Sequence, residues 1–315
     1  MTELHVVLGT GPAGATLAEE LLRRGHVVRT VDRRGVAQLE GVEAYAADIR
    51  DPGAAAEAVA GAAVVYHCVN VPYEQQVEVM PRIQEAVLAA AETAGARLVV
   101  TDTLYPYGPT GGAVMTEETP WRAVAAKGRM RADLDRRYLD AHARGQVQVT
   151  LGRAADFFGP RVFNSSLGAT VFPAALTGET ALALGDIDLP HSYSYIRDVA
   201  AGLALLGERP DAAGRVWHLP TAPAMSTRQV HELITEVTGR PLSVDVLSEP
   251  QPWGPFDDVF MAEYAELFYQ YLEPQVVDSS AFEQAFGVRP TPLADALAET
   301  VAWYTATLRL RAAAG

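Results

Sequence analysis

The segment from Leu4 to Asp32 constrains this chain more than any other. Leu4-His5-Val6-Val7-Leu8 is an apolar run of strand length, and Gly9-Thr10-Gly11-Pro12-Ala13-Gly14 follows it without a spacer. Ala15 to Arg24 then carries Leu17, Leu21 and Leu22 on one side of a helix. Gly25 stops that helix, His26 to Val31 is a second strand, and Asp32 closes it. Strand, GxGxxG, helix, strand and acid, in that order, make a βαβ unit built around a bound anion. The glycines let the backbone turn tightly and approach a pyrophosphate, whose charge sits at the helix N-terminus. The pattern predicts a dinucleotide held by Gly9, Thr10, Gly11, Pro12, Ala13 and Gly14, with Asp32 at its ribose.

The choice between NAD and NADP stays open at this level. Asp32 favours NAD, because a carboxylate accepts hydrogen bonds from both ribose hydroxyls and repels a 2′-phosphate. Arg33 and Arg34 come next, and an arginine there can clamp that phosphate.

The rest of the chain extends the same architecture. Up to about Pro160, apolar strand candidates (Leu4–Leu8, Val27–Val31, Ala63–Cys68, Leu98–Thr101, Val147–Leu151) alternate with helical stretches near 13–24, 53–60, 74–95 and 125–144. This alternation predicts an α/β fold, a Rossmann doubly wound parallel sheet with right-handed crossovers. Beyond Pro160 the pattern is irregular, with helices expected over Asp198–Leu206, Thr227–Gly239 and Pro290–Arg311 and a strand over Arg215–Leu219. The expected division is a nucleotide-binding domain of residues 1–162 and 191–222, and a smaller substrate-binding domain of 163–190 and 223–315 that sets specificity. At 315 residues and 49% apolar content, the chain can bury cores of that size.

A formal charge of −14 argues against nucleic acid or an anionic membrane as partner, and leaves a small-molecule substrate. One cysteine, Cys68, permits no internal disulfide, which fits a reducing, cytoplasmic setting. No apolar stretch reaches the roughly 18 residues of a membrane span. The seven histidines show no metal-ligand spacing, and no GxSxG nucleophile elbow is present, so no metal is expected and hydrolase chemistry ranks low.

Further segments follow one another as in the extended short-chain dehydrogenase/reductases, the NAD-dependent epimerase/dehydratase group, which the chain resembles over nearly its whole length. Ala47-Asp48-Ile49-Arg50-Asp51-Pro52 resembles the acidic loop that meets the adenine, which implies Asp48 and Ile49 as cofactor contacts. Val65-Tyr66-His67-Cys68-Val69-Asn70 resembles the strand end and loop over the cofactor, implying Cys68, Val69 and Asn70. Val99 to Gly108 resembles the strand carrying the catalytic Ser or Thr, here Thr103, with Tyr105 as a substitute acid. Gly152 to Pro160, Tyr195 to Ala200 and Val277 to Ser280 resemble later family elements. One departure comes early: the family usually spaces its glycines GxxGxxG.

A second departure falls on the catalytic helix. Where the family carries Tyr-x-x-x-Lys, the matching register here is Lys127-Gly128-Arg129-Met130-Arg131, with Lys127 in the Tyr slot and Arg131 in the Lys slot. A surface lysine on an inactive chain is one reading. Against it, Lys127, Arg131, Leu134 and Tyr138 share a helical stripe, so Leu134 draws the two cations inward. Free lysine and tyrosine titrate near the same pH, roughly 10. Lys127 is thus expected to exchange a proton with substrate or to stabilise an oxyanion beside the cofactor, while Arg131 positions and polarises. Thr103 either donates to a substrate oxygen or bonds its own backbone. Tyr107, Tyr193 and Tyr195 read as packing or lining residues.

Sugar-nucleotide members use an Asn and an Arg at the diphosphate. The matching positions are Asp156 and His191, the candidate substrate contacts. An Asp facing a diphosphate is unfavourable, which favours a small carbonyl or alcohol substrate. The readings are therefore an NAD(P)-dependent oxidoreductase on such a metabolite, an isomerase or lyase that recycles its cofactor, and a non-catalytic NAD(P)-binding redox sensor. The resemblance also implies a possible homodimer. The apolar face of helix 74–95 (Val77, Met80, Ile83, Val87, Leu88) is available for that contact or for packing on the sheet.

Overall fold

The computed structural model describes residues 3–314. In chain order its elements are β1 (Leu4–Leu8), α1 (Pro12–Arg23), β2 (Val27–Asp32), β3 (Val42–Ala46), α2 (Pro52–Ala58), β4 (Val64–His67), α3 (Gln76–Ala94), β5 (Arg97–Asp102), α4 (Ala126–Ala143) and β6 (Val149–Arg153). They continue with β7 (Asp156–Phe158), α5 (Phe172–Thr177), β8 (Thr180–Leu184), β9 (Pro190–His191), β10 (Tyr193–Tyr195), α6 (Ile196–Glu208), β11 (Val216–His218) and β12 (Met225–Ser226). The last elements are α7 (Thr227–Thr238), β13 (Ser243–Leu247), α8 (Asp258–Ala265), α9 (Ser280–Phe286) and α10 (Leu293–Ala314).

The chain divides into two compact units: residues 1–108, 120–154 and 199–219, and residues 109–119, 155–198 and 220–315. Relative to the expected boundaries, residues 109–119, 155–162, 191–198 and 220–222 fall in the second unit. The strands explain part of the difference. β7 pairs with β10, so Asp156–Phe158 and Tyr193–Tyr195 stay together rather than joining the large sheet.

The first unit is a seven-stranded parallel sheet in the order β11-β6-β5-β4-β1-β2-β3. Strand order reverses at β1, between β4 and β2, which opens the ligand crevice beyond the carboxyl ends of the strands. Side chains alternate across the sheet. Val6 and Leu8 point into a core shared with Met80, Ile83 and Val87 of α3 and Leu134 and Tyr138 of α4. Gly152 in β6 admits the other helical layer, because a Cβ there would stand 2.8 Å from Leu203 of α6. The apolar face of α3 is therefore core. Met80, Ile83 and Val87 are buried, Leu88 is half-buried, and Val77 is exposed.

One strand of the sheet was not legible beforehand. β3, Val-Glu-Ala-Tyr-Ala, is an edge strand with no fully buried residue, so it lacks an apolar run. β6 also begins two residues later than the apolar run at Val147 suggests, and it ends on a buried arginine.

The second unit is built from short pairs: β7 with β10 and β8 with β13, both parallel, and β9 with β12, antiparallel. α7 begins with a capping box in which Ser226 and Gln229 satisfy each other's backbone N–H groups. Gly239 ends that helix in the left-handed conformation, as its position in the sequence predicts.

Candidate active site

The turn after β1 has the geometry of an anion cradle. Gly9 has φ +94°, a conformation favoured by glycine, and its N–H donates to the Val31 carbonyl at 2.8 Å. A Cβ on Gly14 would lie 1.9 Å from the Gly9 carbonyl oxygen, so α1 can approach the turn only with glycine there. Gly11, by contrast, faces open space, with nothing within 4 Å of a Cβ. It is also the N-cap of α1, and no side chain accepts from that end of the helix. Pro12 in the first turn has no N–H to satisfy, and Ala13 is buried behind it. A close backbone approach, open space and uncapped N–H groups together fit a pyrophosphate.

Asp32 closes β2 beside this turn. Its Oδ1 accepts from the backbone N–H groups of Arg34 (2.7 Å) and Gly35 (2.8 Å), and its Oδ2 accepts from the Thr10 hydroxyl. Burial works against ionisation, but these donors outweigh it and hold the carboxyl below the usual carboxylate range. Asp32 is thus a fixed anion tied to Thr10. Arg33 and Arg34 are exposed, and Arg34 reaches Asp32 at 3.8 Å. At the next loop, the Arg50 guanidinium lowers Asp48 to about 2, and Ile49 is buried.

The end of β4 forms the facing wall. A Cβ on Gly9 would touch the Val69 side chain at 2.9 Å. The Cys68 sulfur lies 3.2 Å from the Thr101 hydroxyl, and burial pushes the thiol up to about 11, so Cys68 packs and does not attack. Asn70 accepts a hydrogen bond from Arg131 at 2.9 Å. The arginine of the altered helix therefore reaches the loop expected over the cofactor.

α4 brings the candidate acid–base residues inward. Lys127 is 2% exposed and Arg131 6% exposed, so neither lies on the surface. Leu134 and Tyr138, farther along the same stripe, are buried too. Gly128 sets how closely the helix approaches, since a Cβ would stand 2.8 Å from the Tyr105 carbonyl oxygen. Tyr105 is half-buried and opens the one-turn 3₁₀ segment Tyr105–Tyr107. The half-buried Thr103 hydroxyl accepts a long bond, 3.4 Å, from the Tyr105 N–H. This is a local bond to the backbone, and it leaves the hydroxyl proton able to donate.

Behind this pair lies a charge cluster that the sequence pattern does not reveal. Arg153 is fully buried, and it donates to Asp102 and Asp135, each at 2.6 Å. Its guanidinium lies 4.5 Å from the Tyr107 ring centroid and 5.2 Å from that of Trp121. Tyr107 in turn bonds His218 at 2.6 Å, so it is a structural residue. Burial, followed by the neighbouring Asp102, raises the Asp135 carboxyl well above its ordinary value. The one available signal is the register that sets Arg153 opposite Asp102 across β5 and β6, and register is a tertiary fact. The cluster joins the two sides of the site. Asp102 precedes Thr103, and Asp135 lies one helical turn beyond Arg131.

In the second unit the structure brings Asp156 and His191 together. The Asp156 carboxylate accepts from His191 (3.3 Å), Tyr271 (3.0 Å) and Ser166 (3.0 Å). The His191 ring stacks on Tyr271, with centroids 5.4 Å apart. Although burial opposes it, hydrogen bonding and charge from His191, with the Tyr271 and Ser166 bonds, hold Asp156 below the usual range. Tyr193 bonds Thr227 and Tyr195 bonds Glu299, which makes both packing residues. Tyr271 ends the aromatic segment Phe256–Tyr271, which reads from the sequence as pocket wall or core, but its bond to Asp156 spans 115 residues and has no local pattern; Ser166, ten residues from Asp156, carries no motif that marks it.

Residues 6–219 match the sequence profile of the NAD dependent epimerase/dehydratase family. The chain belongs to that family. It is 26% identical over 222 residues to dTDP-glucose 4,6-dehydratase of Streptomyces griseus, covering 70% of this chain and 62% of that protein. The match thus spans less than two thirds of that relative. It is 25% identical over 255 residues to UDP-N-acetyl-alpha-D-glucosaminuronate decarboxylase of Bacillus cytotoxicus, covering 73% of this chain and 78% of that protein. Among solved structures, MoeE5 in complex with UDP-glucose and NAD superposes with a TM-score of 0.78 at 22% identity, over 96% of this chain and 99% of that one. UDP-glucose 4-epimerase of Thermotoga maritima gives 0.79 at 18% identity, over 97% and 99%. These likenesses establish a shared fold. Among the described residues, no helix is long and apolar enough to cross a membrane, and no group of three or more His, Cys, Asp or Glu is placed to hold a metal.

Proposed function

We propose that this family member binds NAD or NADP at Gly9–Gly14 and interconverts an alcohol and a carbonyl on a small hydroxylated substrate, with Lys127 in the role of the family's tyrosine. The observation that carries the reading is Lys127 buried at the start of α4, one turn from an arginine that holds Asn70. When bound, the nicotinamide supplies a reversible hydride acceptor and donor. Asp32 receives the adenosine ribose, and the N-terminus of α1 receives the pyrophosphate. Arg131 keeps its charge and orients the loop at Asn70. Lys127 exchanges the proton of the substrate oxygen, and Thr103 donates a hydrogen bond to that same oxygen.

The names of the relatives favour the reading in which the cofactor is reduced and reoxidised within one cycle, as an epimerase or dehydratase requires. Net oxidation of a small metabolite is the second reading. Asp156 favours it, because a carboxylate held ionised by His191 repels a substrate diphosphate. The test is a panel of nucleotide sugars, free sugars and small hydroxyketones, each with NAD and NADP. Reduced-nicotinamide absorbance and product mass are followed together. Product without net absorbance change supports the recycling reading, and product with it supports the oxidoreductase. Tight dinucleotide binding with no product anywhere in the panel would sink both and leave a redox sensor. The homodimer implied by the resemblance is tested by sedimentation of the purified chain.

A further inference from the structure

The charge of this chain is not shared evenly. The first unit holds 19 Asp and Glu against 18 Lys and Arg, whereas the second holds 20 against 7. Almost all of the formal −14 therefore sits on the second unit. A region of one sign repels like-charged ligands and concentrates opposite ones. Within that unit, Asp156 presents a fixed acceptor. His191, Tyr271 and Ser166 all meet the same carboxylate oxygen, Oδ2. Oδ1 has no partner among the described residues and is not enclosed, with 22% of the side chain exposed. Burial opposes ionisation of Asp156, and the His191, Tyr271 and Ser166 interactions outweigh it. Among the described residues no arginine pairs with Asp156; Arg197 and Arg228 bond Glu299 and Asp188 instead. The His191 ring packs against Tyr193 and Tyr271, with centroids 4.7 and 5.4 Å away, so the wall beside the carboxylate is aromatic. Aromatic faces attract cations.

We propose that the second unit binds an organic cation, the protonated amine of an amino alcohol or amino sugar, through an N–H group that donates to Asp156 Oδ1. The proposal rests on the functional reading above only in taking this ligand to be the substrate. A hydroxyl group fits the same acceptor but leaves the carboxylate's charge uncompensated. A phosphate or carboxylate adds to that charge. An ammonium group neutralises it and donates to the open oxygen at once. The carboxylate that disfavours a diphosphate thus selects for its opposite. Asp156 is the specificity-determining residue, and Tyr271, Ser166 and His191 are positioning residues that hold Oδ2 and so fix where Oδ1 points.

The test uses pairs of probes that differ by one ammonium-for-hydroxyl exchange: serinol with glycerol, and glucosamine with glucose. Each is titrated into the full chain at neutral pH and low salt, by calorimetry. We expect the amine of each pair to bind about 10–100-fold more tightly, the usual worth of a hydrogen bond to a charged group. Asp156→Asn keeps the shape and removes the charge, so the two members should then bind within about twofold of each other. A second readout needs no change at Asp156. In the parent chain with isotope-labelled histidine rings, the His191 nitrogen signals, identified by their loss in His191→Gln, should move with serinol and not with glycerol. Equal or absent binding within both pairs, a preference that survives in folded Asp156→Asn, or His191 signals unmoved by serinol would each overturn the proposal. Turnover separates this idea from the functional reading. If the amines bind as expected but no amino alcohol or amino sugar is converted with NAD or NADP, the functional reading fails and the cation site stands. If neutral alcohols are converted while the amine preference is absent, the cation site alone fails.

Discussion

At the scale of single residues, the site depends on a few positions whose chemistry has no substitute. Lys127→Met removes the exchangeable proton but keeps the buried volume. We expect turnover to fall by roughly 10²–10⁴-fold, the usual contribution of a positioned acid or base, with NAD affinity within about threefold of the parent. Steady-state kinetics beside a fluorescence titration would show this, and unchanged turnover would remove Lys127 from the chemistry. Gly14→Ala tests the cradle separately. Its methyl would lie 1.9 Å from the Gly9 carbonyl oxygen, so the turn must open and dinucleotide binding should be lost. The proposed cofactor site makes Asp32 and its two arginine neighbours the residues to test for cofactor preference. Asp32 is already anchored by Thr10 and two backbone N–H groups, which fixes its charge in place. Arg33→Ala should therefore raise the ratio of NAD to NADP affinity if that exposed guanidinium meets a 2′-phosphate. An unchanged ratio would show that it does not.

At the scale of elements, the first unit depends on how α4 is pinned to the sheet. Arg153 of β6 ties Asp102 of β5 to Asp135 of α4 with nothing exposed. Removing one partner leaves an uncompensated buried charge, a loss of about 3–5 kcal/mol. Arg153→Met should cost that much in a urea unfolding experiment. The triple change Arg153→Met with Asp102→Asn and Asp135→Asn should recover a large part of it, because no unpaired ion then remains. If the triple variant were no better than Arg153→Met, the cluster's contribution would be packing of the guanidinium against Tyr107 and Trp121 rather than charge. The same cluster shows where reading by pattern stops. Elements such as α1, α4, β1 and β5 were legible because helical spacing and a short apolar run are both local properties of the chain. β3 was not legible, because an edge strand needs no apolar run. Nor was the partner of Arg153, because an ion pair between residues 51 apart has no local pattern.

At the scale of the whole molecule, acid is the expected weakness. Burial lowers His5 to about 4, with the nearby cations of His26 and Arg97 adding to the effect. Burial likewise lowers His67 to about 3, with help from Arg131, and His231 to about 4, with help from Arg228. Each is neutral in the fold, whereas in the unfolded chain each titrates near 6.5. Below that value the unfolded chain binds more protons than the folded one, so stability falls with pH, from about 6.5 down to the folded values. Asp32 and Asp156, whose carboxyls are lowered in the fold, add to the loss only below the ordinary carboxylate range. Urea midpoints at about pH 7 and about pH 5 should show the drop. His5→Asn should reduce it, as the buried ring next to Tyr66 would no longer have a proton to gain. Equal midpoints at the two pH values would mean that the histidine effect is absent or is cancelled by Asp135, whose raised carboxyl binds its proton more readily in the fold than in the unfolded chain.

The sequence by itself determined the cofactor unit, because every feature of Leu4–Asp32 is contiguous: strand, glycine turn, helix and acid follow one another, and local sterics dictate their shape. It also placed Lys127 and Arg131 on one stripe, since helical spacing is local, and its single lysine was visible from composition alone. Only the tertiary structure decided that the stripe is buried, that Arg131 reaches Asn70, and that Arg153 binds two carboxylates behind it. Burial and ion pairing are set by which distant segments pack together, and no property of one segment encodes that on its own.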